Sequence, residues 1–406
     1  MEILVLENEP SSRRGGQEWC LLEVCSGLAK LGHNIHFVYN KDGDFITSYR
    51  EFCKSLIKVH CFRIDNGRRK RITSSIAWLL SILRVLKTKP DLIYINQYQD
   101  SLFGGTLAQL KGVPFVCHLH IPPPKKVYFR GQYLIGLKSV TRFIAVSEST
   151  RTSYLRTGFE PKTIEVVYNG VDLKRFVMKD DQKQTRHALD LPLEAFVVLY
   201  AGRIDRPKNI EMLIQAFAQL GLSAERARLL IAGGPLVHAT QEAGESYIHE
   251  LKDLCHTLSI GSSVHWLGRR ADLPELFRAA DVSVLPSMQP DTFGRTLVES
   301  MACGTPALGL RFGGIPEVLS GEFEKFQIKV GDTCGLTNLL RSLDGWQQND
   351  PTLGHRCRTY VEENFPVERM VMGVERVLKQ AVTLGAVRLG PSPETLQPWC
   401  PDLNGI

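Results

Sequence analysis

Asp291 and Glu299 are two carboxylates eight residues apart, with a Phe-Gly turn between them and a Gly-Thr-Pro after them. A buried strand over residues 282–285 feeds a polar loop, and the loop feeds a helix expected to start near Thr296. That order presents helix N-terminal amides where anionic groups bind. It sets Asp291 in the loop and Glu299 on the first turns of the helix. One carboxylate is then available for sugar hydroxyls, the other for ribose hydroxyls, and the amides for a diphosphate. Acids at this spacing also occur on solvated helices, so the surrounding residues decide.

Cations supply the complementary half. Gly202-Arg203 ends a strand pattern, and Lys208 stands at the entrance of the next helix. Two cations beside helix amides stabilise the charge that develops on a departing diphosphate; the plain alternative is solvated surface charge. Gly15-Gly16 follows the first strand, where a glycine pair lets amides approach a phosphate or sugar, or simply makes a tight turn. His118 and His120 end a strand pattern after Pro114 and share one face of it. A histidine there hydrogen-bonds a hydroxyl or moves a proton; packing is the alternative, and it is the reading favoured for His118. Gly233-Gly234-Pro235 reads as a turn near a nucleotide, and Trp266-Leu267-Gly268 as a flank for its base. Asp42-Gly43-Asp44 has a metal-binding form used in other folds. It falls in a turn far in sequence from the phosphate motifs, so it reads as a plain turn and no metal site is expected.

The elements that must position these residues alternate along the chain. Residues 3–6 read as a strand, 17–31 as a helix and 34–39 as a strand, the βαβ pattern of a parallel sheet. Helices over 74–87 and 102–110 and strands over 92–95, 115–119 and 143–146 continue it. Ser147 is a cap signal for the next helix. After the polar stretch 179–186 the pattern restarts, with strands over 196–201, 227–232 and 264–267 and helices over 209–220, 245–258 and 273–279. Asn209 is positioned to cap its helix. Two consecutive α/β domains follow from this, with ligands expected outside the carboxyl ends of the strands.

With these motifs in this order, residues 1 to about 380 closely resemble the retaining, nucleotide-sugar-dependent glycosyltransferases of family 4, which have the GT-B fold. The resemblance implies two Rossmann-like domains facing a central cleft. It implies an N-terminal acceptor-binding domain over 1–180, a nucleotide-sugar-binding domain over 181–365, and a helix over 366–383 crossing back to the first domain. It assigns Gly16 to the loop over donor and acceptor, His120 to the donor sugar, and Arg203 and Lys208 to the pyrophosphate. Gly234 falls near the nucleotide. Phe293, Gly294, Arg295 and Thr296 fall where backbone amides hold phosphates and sugar, and Glu299 matches the ribose-binding acid. Asp291 takes a position that is normally Glu, and is one methylene shorter. The residue after Lys208 is commonly Gly in the family and is Asn209 here; the charge on Arg295 is also unusual. Gly313-Gly314-Ile315-Pro316-Glu317 reads as structural. The implied reaction moves a sugar from a nucleotide-diphosphate donor to an acceptor hydroxyl with retention, without a metal cofactor. An epimerase acting on the nucleotide sugar alone and a non-catalytic binding relative are the alternatives.

Composition sets the remaining bounds. The 406 residues carry a net charge of +6 and 43% hydrophobic residues, ordinary for a globular chain of about two domains. By count, roughly 27 basic and 16 acidic residues fall in 1–180, about +11, leaving the remainder near −5. Clusters occur at Arg68, Arg69, Lys70 and Arg71 and at Lys125, Lys126 and Arg130. Such asymmetry suits an anionic substrate or membrane surface, or plain solvated charge. No aromatic-interleaved basic motif points to nucleic acid. Ten cysteines without a Cys-x-x-Cys pair fit reduced thiols in the cytoplasm. No signal peptide is read at the N-terminus, and the apolar stretch 76–86 is too short to span a bilayer and contains Arg84, so any membrane contact is expected to be peripheral. The proline-rich tail, 384–406, is expected to be loose.

Overall fold

The computed structural model describes residues 1–65, 68–123, 132–235, 241–289 and 291–385. The tail from residue 386 and the cluster at Lys125, Lys126 and Arg130 lie outside the described residues. The first sheet holds β1 (Glu2–Glu7), β2 (Asn34–Tyr39), β3 (Ser55–Lys58), β4 (Leu92–Ile95), β5 (Phe115–Leu119), β6 (Arg142–Ala145) and β7 (Ile164–Val166). All are parallel, in the order β3-β2-β1-β4-β5-β6-β7. The second sheet holds β8 (Phe196–Ala201), β9 (Ala227–Ala232), β10 (Val264–Gly268), β11 (Val282–Leu285), β12 (Ala307–Leu310) and β13 (Gln327–Ile328). It too is parallel, in the order β10-β9-β8-β11-β12-β13.

Parallel strands covered on both faces must be apolar on both, and the central strands are. Ile3 and Val5 of β1 enter one core with Phe37, Leu92 and Tyr94, while Leu4 and Leu6 enter the opposite core with Ile93 and Ile95. That is the two-residue alternation of a strand, with oil on each side. In both sheets the strand order reverses beside the first strand, between β1 and β4 and between β8 and β11. The crevice at the carboxyl ends of such a pair is where open α/β sheets bind ligands. The loops after β4, β8 and β11 carry Gln97, Arg203 and Asp291, and the loop after β1 leads into Gly16, the first residue of the next helix.

The chain leaves the first sheet after Val166, passes to the second domain at Val171 and returns beside Val171. Val171 donates its amide to the Phe365 carbonyl at 2.9 Å and accepts from the Val367 amide at 3.0 Å. The helix Val367–Gly385 then packs on the first domain, burying Met370, Val371, Val374, Val377, Leu378 and Ala381 in the core that holds Ile3 and Val5.

The helix expected over 245–258 begins four residues earlier, at Gln241, and two further expectations change. The helix expected over 74–87 begins six residues earlier, at Arg68. Asn209 does not cap its helix: it sits at the N-cap in the left-handed region, φ 53°, with no side-chain cap bond, and its Nδ2 lies 3.5 Å from the Met212 sulfur. Asparagine is one of the few residues that tolerate that conformation, so it adopts the backbone a glycine would and does no capping.

Candidate functional site

Lys208 ends the short 3-10 turn Arg206–Lys208 after β8. Its ammonium lies 2.8 Å from Asp291 Oδ2, across 83 residues of sequence. Asp291 Oδ1 accepts from the Gly294 amide at 2.8 Å and the Phe293 amide at 3.3 Å. Asp291 is thus held from both sides, by Lys208 on one oxygen and by the Phe293 and Gly294 amides of its own loop on the other. Aspartate is short enough to fold back on its own loop two and three residues on. Burial opposes ionisation of Asp291, but the Lys208 ammonium and the two amides outweigh it and hold its pKa below the ordinary value. Gly294, at φ 85°, makes the left-handed turn that starts the helix Arg295–Ala302. Thr296 follows as its second residue.

Arg295, whose charge is unusual at this position, clamps two acids. Nη1 and Nη2 meet the two oxygens of Glu23 at 2.8 and 2.6 Å, and Nε meets Glu299 Oε1 at 2.7 Å. Glu23 belongs to the helix Gly16–Lys30 of the first domain, so the triad joins the domains. All three side chains are nearly buried. Burial works against the charge on Arg295, but Glu23 and Glu299 outweigh it and raise its pKa. Burial raises the pKa of Glu299, with Arg295 opposing. A Cβ on Gly16 would stand 3.3 Å from Arg295 Cδ, so the absence of a side chain at Gly16 lets the arginine pass.

His120 ends the strand region of β5, and its carbonyl accepts from the Thr292 hydroxyl of the second domain at 2.7 Å. Its ring packs on His118, centroids 4.0 Å apart, so the two do share a face. His118 is the packed one: Nδ1 lies 2.6 Å from the Tyr94 hydroxyl in full burial. Nε2 of His118 and Nε2 of His120 are both buried without a hydrogen-bond partner among the described residues. Burial pushes His118 down to about 3; burial, then the neighbouring His118 and Arg295, push His120 well below its ordinary value.

These shifts carry a pH signature. Below the ordinary value of about 6.5, the unfolded chain protonates both rings and the native chain does not. The unfolded state then binds more protons, and stability falls as pH drops, by roughly 1.4 kcal/mol per pH unit per histidine. Replacing His118 by glutamine is expected to flatten that slope by about one histidine's worth between about pH 6 and about pH 4.5, measured by urea unfolding. An unchanged slope would mean that the native ring already titrates. Glu7 acts in the opposite sense: burial, aided by Glu18, holds it near 8, so its contribution is lost as pH rises from about 4.5 toward 8. Comparing wild type with variant cancels that background.

Glu7 was not singled out in the sequence, although it is an acid closing the apolar run of β1. It is fully buried and accepts from Gln97 Nε2 at 3.0 Å, Asn96 Nδ2 at 3.3 Å and Arg14 Nη1 at 3.2 Å. Arg14 also reaches Glu18, 3.3 Å away, which burial holds near 7. Arg63 and the buried Asp100 pair at 2.8 Å beside Gln97. This polar floor lies at the carboxyl ends of β1 and β4, facing the second domain.

Arg203 is more exposed and pairs with Asp205 at 3.5 Å; its charge is felt at Glu18 and at Arg269. Arg269, which sequence reasoning missed, lies against Gly234 and donates to the Pro235 carbonyl and, at 3.2 Å, to the Arg13 carbonyl of the first domain. Glu317 makes a further crossing. Its two oxygens accept the Glu148 and Ser149 amides at 2.7 Å, at the start of the helix that Ser147 caps. The loop read as structural is thus a domain-to-domain contact. Asp42-Gly43-Asp44 is a turn: Asp44 accepts from the Ser12 amide at 2.8 Å and Asp42 pairs with Lys58. Among the described residues no cluster of three or more His, Cys, Asp or Glu is placed to hold a metal ion.

Comparison with known proteins places this geometry. The family model "Glycosyltransferase Family 4" matches residues 14–175, and "Glycosyl transferases group 1" matches residues 181–344. The chain is similar to N-acetyl-alpha-D-glucosaminyl L-malate synthase of Bacillus anthracis, 29% identical over 53% of each protein. It therefore spans about half the length of that relative. It is similar over more of its length to D-inositol 3-phosphate glycosyltransferase 1 of Catenulispora acidiphila, 28% identical over 81% of this chain and 82% of the other. In fold it resembles Anabaena HepE in complex with UDP and glucose, with TM-score 0.79 and 23% identity over 94% of this chain and 100% of that one. Sucrose-phosphate synthase from Thermosynechococcus elongatus shares the fold at TM-score 0.76, 22% identity and coverage of 95% and 100%. With both domains matched in order on two facing parallel sheets, the chain belongs to glycosyltransferase family 4 and is a glycosyltransferase with the GT-B fold.

Proposed function

We propose that the protein transfers a hexose from a nucleotide-diphosphate donor to a hydroxyl of a glycan, lipid-linked or small-molecule acceptor, with retention of configuration and without a metal cofactor. The Lys208–Asp291 contact at the start of the helix Arg295–Ala302 is the observation that carries the reading. It sets a fixed cation beside amides that carry the helix's partial positive charge. A diphosphate leaving there has its developing charge met by Lys208, by Arg203 on the neighbouring loop and by the helix, the part a divalent cation plays elsewhere. Glu299 takes the ribose, exchanging its Arg295 contact for hydroxyls. His120 offers an unsatisfied ring nitrogen to the sugar. The acceptor lies over the polar floor around Glu7 and Gln97. The leaving phosphate oxygen takes the acceptor proton as the new bond forms on the same face. Domain contact across the cleft keeps water from the donor.

We place the reaction in the cytoplasm, at the membrane surface. The nine described cysteines are all free, and no described helix is long and apolar enough to cross a membrane. The test is calorimetric titration with UDP, GDP and ADP, UDP first because the Anabaena neighbours are UDP complexes. Binding of one nucleotide, followed by transfer from its sugar donors with the anomeric proton unchanged in type by NMR, is expected. No heat with any of the three would remove the donor site, and an inverted product would remove the same-face step.

A further inference from the structure

The helix Arg68–Val85 on the outside of the first domain has two unlike sides. Its inner side is packed: Ser81, Ile82 and Val85 are buried, Trp78 sets its ring edge-on to Phe103, and its indole N–H donates to the Phe62 carbonyl at 3.1 Å. Its outer side is apolar and bare. Ile72 is 71% exposed, Ile76 56%, Leu79 53%, Leu80 50% and Leu83 51%. Their spacing of four, three, one and three residues makes one continuous stripe along the helix. Those five are nearly a third of all exposed large apolar side chains among the described residues, so the patch is concentrated rather than scattered.

Charge frames the stripe. From residue 66 to residue 90 the chain has seven cations and no acid. Arg68, Arg69, Lys70 and Arg71 open the helix; Arg84, Lys87 and Lys89 close it and are exposed. At that closing end lies an open pocket of about 740 Å³, lined in part by Arg84, Lys87 and Lys89 and by Lys54, which pairs with Glu2 at 2.8 Å. At 18 residues the helix is about 27 Å long. With Arg84 inside it and cations at both ends, it suits lying in an interface better than crossing one. A second copy seated on the same face would bring two cation-rich segments together, which like-charge repulsion opposes.

We infer that the stripe Ile72, Ile76, Leu79, Leu80 and Leu83 is a membrane-docking face, inserted among the headgroups of an anionic bilayer with the flanking arginines and lysines on lipid phosphates. This deepens the membrane reading above and does not use the donor site. It gives the first domain a fixed side toward lipid. An acceptor anchored in the bilayer would then meet the cleft from one direction only.

Vesicle sedimentation of the full chain, with no nucleotide present, tests it. Wild type is expected to pellet with vesicles that are about a third phosphatidylglycerol, less with phosphatidylcholine alone, and less again as salt rises. The double variant Ile76→Ser, Leu80→Ser should lose binding by tenfold or more on the order of the apolar contact removed. Arg84→Gln with Lys87→Gln should lose roughly fivefold per charge, on anionic vesicles only. All four side chains are exposed, and an unchanged circular dichroism spectrum confirms that each variant is folded. No pelleting with either vesicle, or equal pelleting of wild type and variants, overturns the inference. So does a wild-type dimer in light scattering that the serine variant dissolves, since the occupant is then a second copy. Failed nucleotide binding leaves this experiment unaffected.

Discussion

Lys208→Ala is expected to lower kcat/KM for sugar transfer by two to three orders of magnitude, about 3–4 kcal/mol of transition-state stabilisation. The ammonium is held on Asp291, which also binds the Gly294 amide at the start of the helix Arg295–Ala302, and the proposed reaction develops its charge there. Its fixation matters as much as its sign. Asp291 holds it, and the Gly294 and Phe293 amides hold Asp291, so the charge does not have to be reoriented during the reaction. Lys208→Arg should recover part of the loss, because charge is kept but not its place. Steady-state kinetics with the donor found by titration provides the measurement. A kcat/KM for the alanine variant within about threefold of wild type would take Lys208 out of the leaving-group role.

Arg295→Leu is expected to be the most damaging single change to stability, costing about 3–5 kcal/mol. The arginine neutralises Glu23 from one domain and Glu299 from the other, and all three are nearly buried. Without it, two carboxylates are left close together with little water. Adding Glu23→Leu removes one orphaned charge and should restore most of the loss, a large coupling in a double-mutant cycle. Urea unfolding of the four proteins decides it. If Arg295→Leu is as stable as wild type, or the two losses simply add, the triad is not a unit.

What could be read from the chain was set by contact range. The runs at 3–6, 196–201, 227–232 and 282–285 are apolar, rich in Val, Ile and Leu and bounded by turn residues, and all became central strands. The edge strands Ser55–Lys58 and Gln327–Ile328 went unread because half-covered edges need no such run. The helix start at Arg68 was misread since its first four residues are all cations and give no period.

The site divides in the same way. Residue types pointed to Lys208, Asp291 and Glu299 as charged residues at the loops and helix starts after the strands, and the structure pairs Lys208 with Asp291 and Glu299 with Arg295. They did not tell that Asp291 would spend one oxygen on its own loop, a competition between local turn chemistry and reach that depends on one methylene. Glu23, Arg269 and Glu317 were illegible as site residues because their partners stand 272, 256 and 169 residues away. In sequence, Glu23 is one more acid on an amphipathic helix.

The return of the helix Val367–Gly385 has a consequence for how the protein is made. Met370, Val371, Val374, Val377, Leu378 and Ala381 complete the core begun by Ile3 and Val5. A ribosome delivers Ile3 long before Ala381, with the second domain in between, so the first domain stays unfinished throughout synthesis of the second. During that time its open apolar face is the nascent chain's main liability for aggregation. Among the described residues, the second domain draws its core from Val146 to Phe365. It can fold to completion first, and folding order then runs against the order of synthesis.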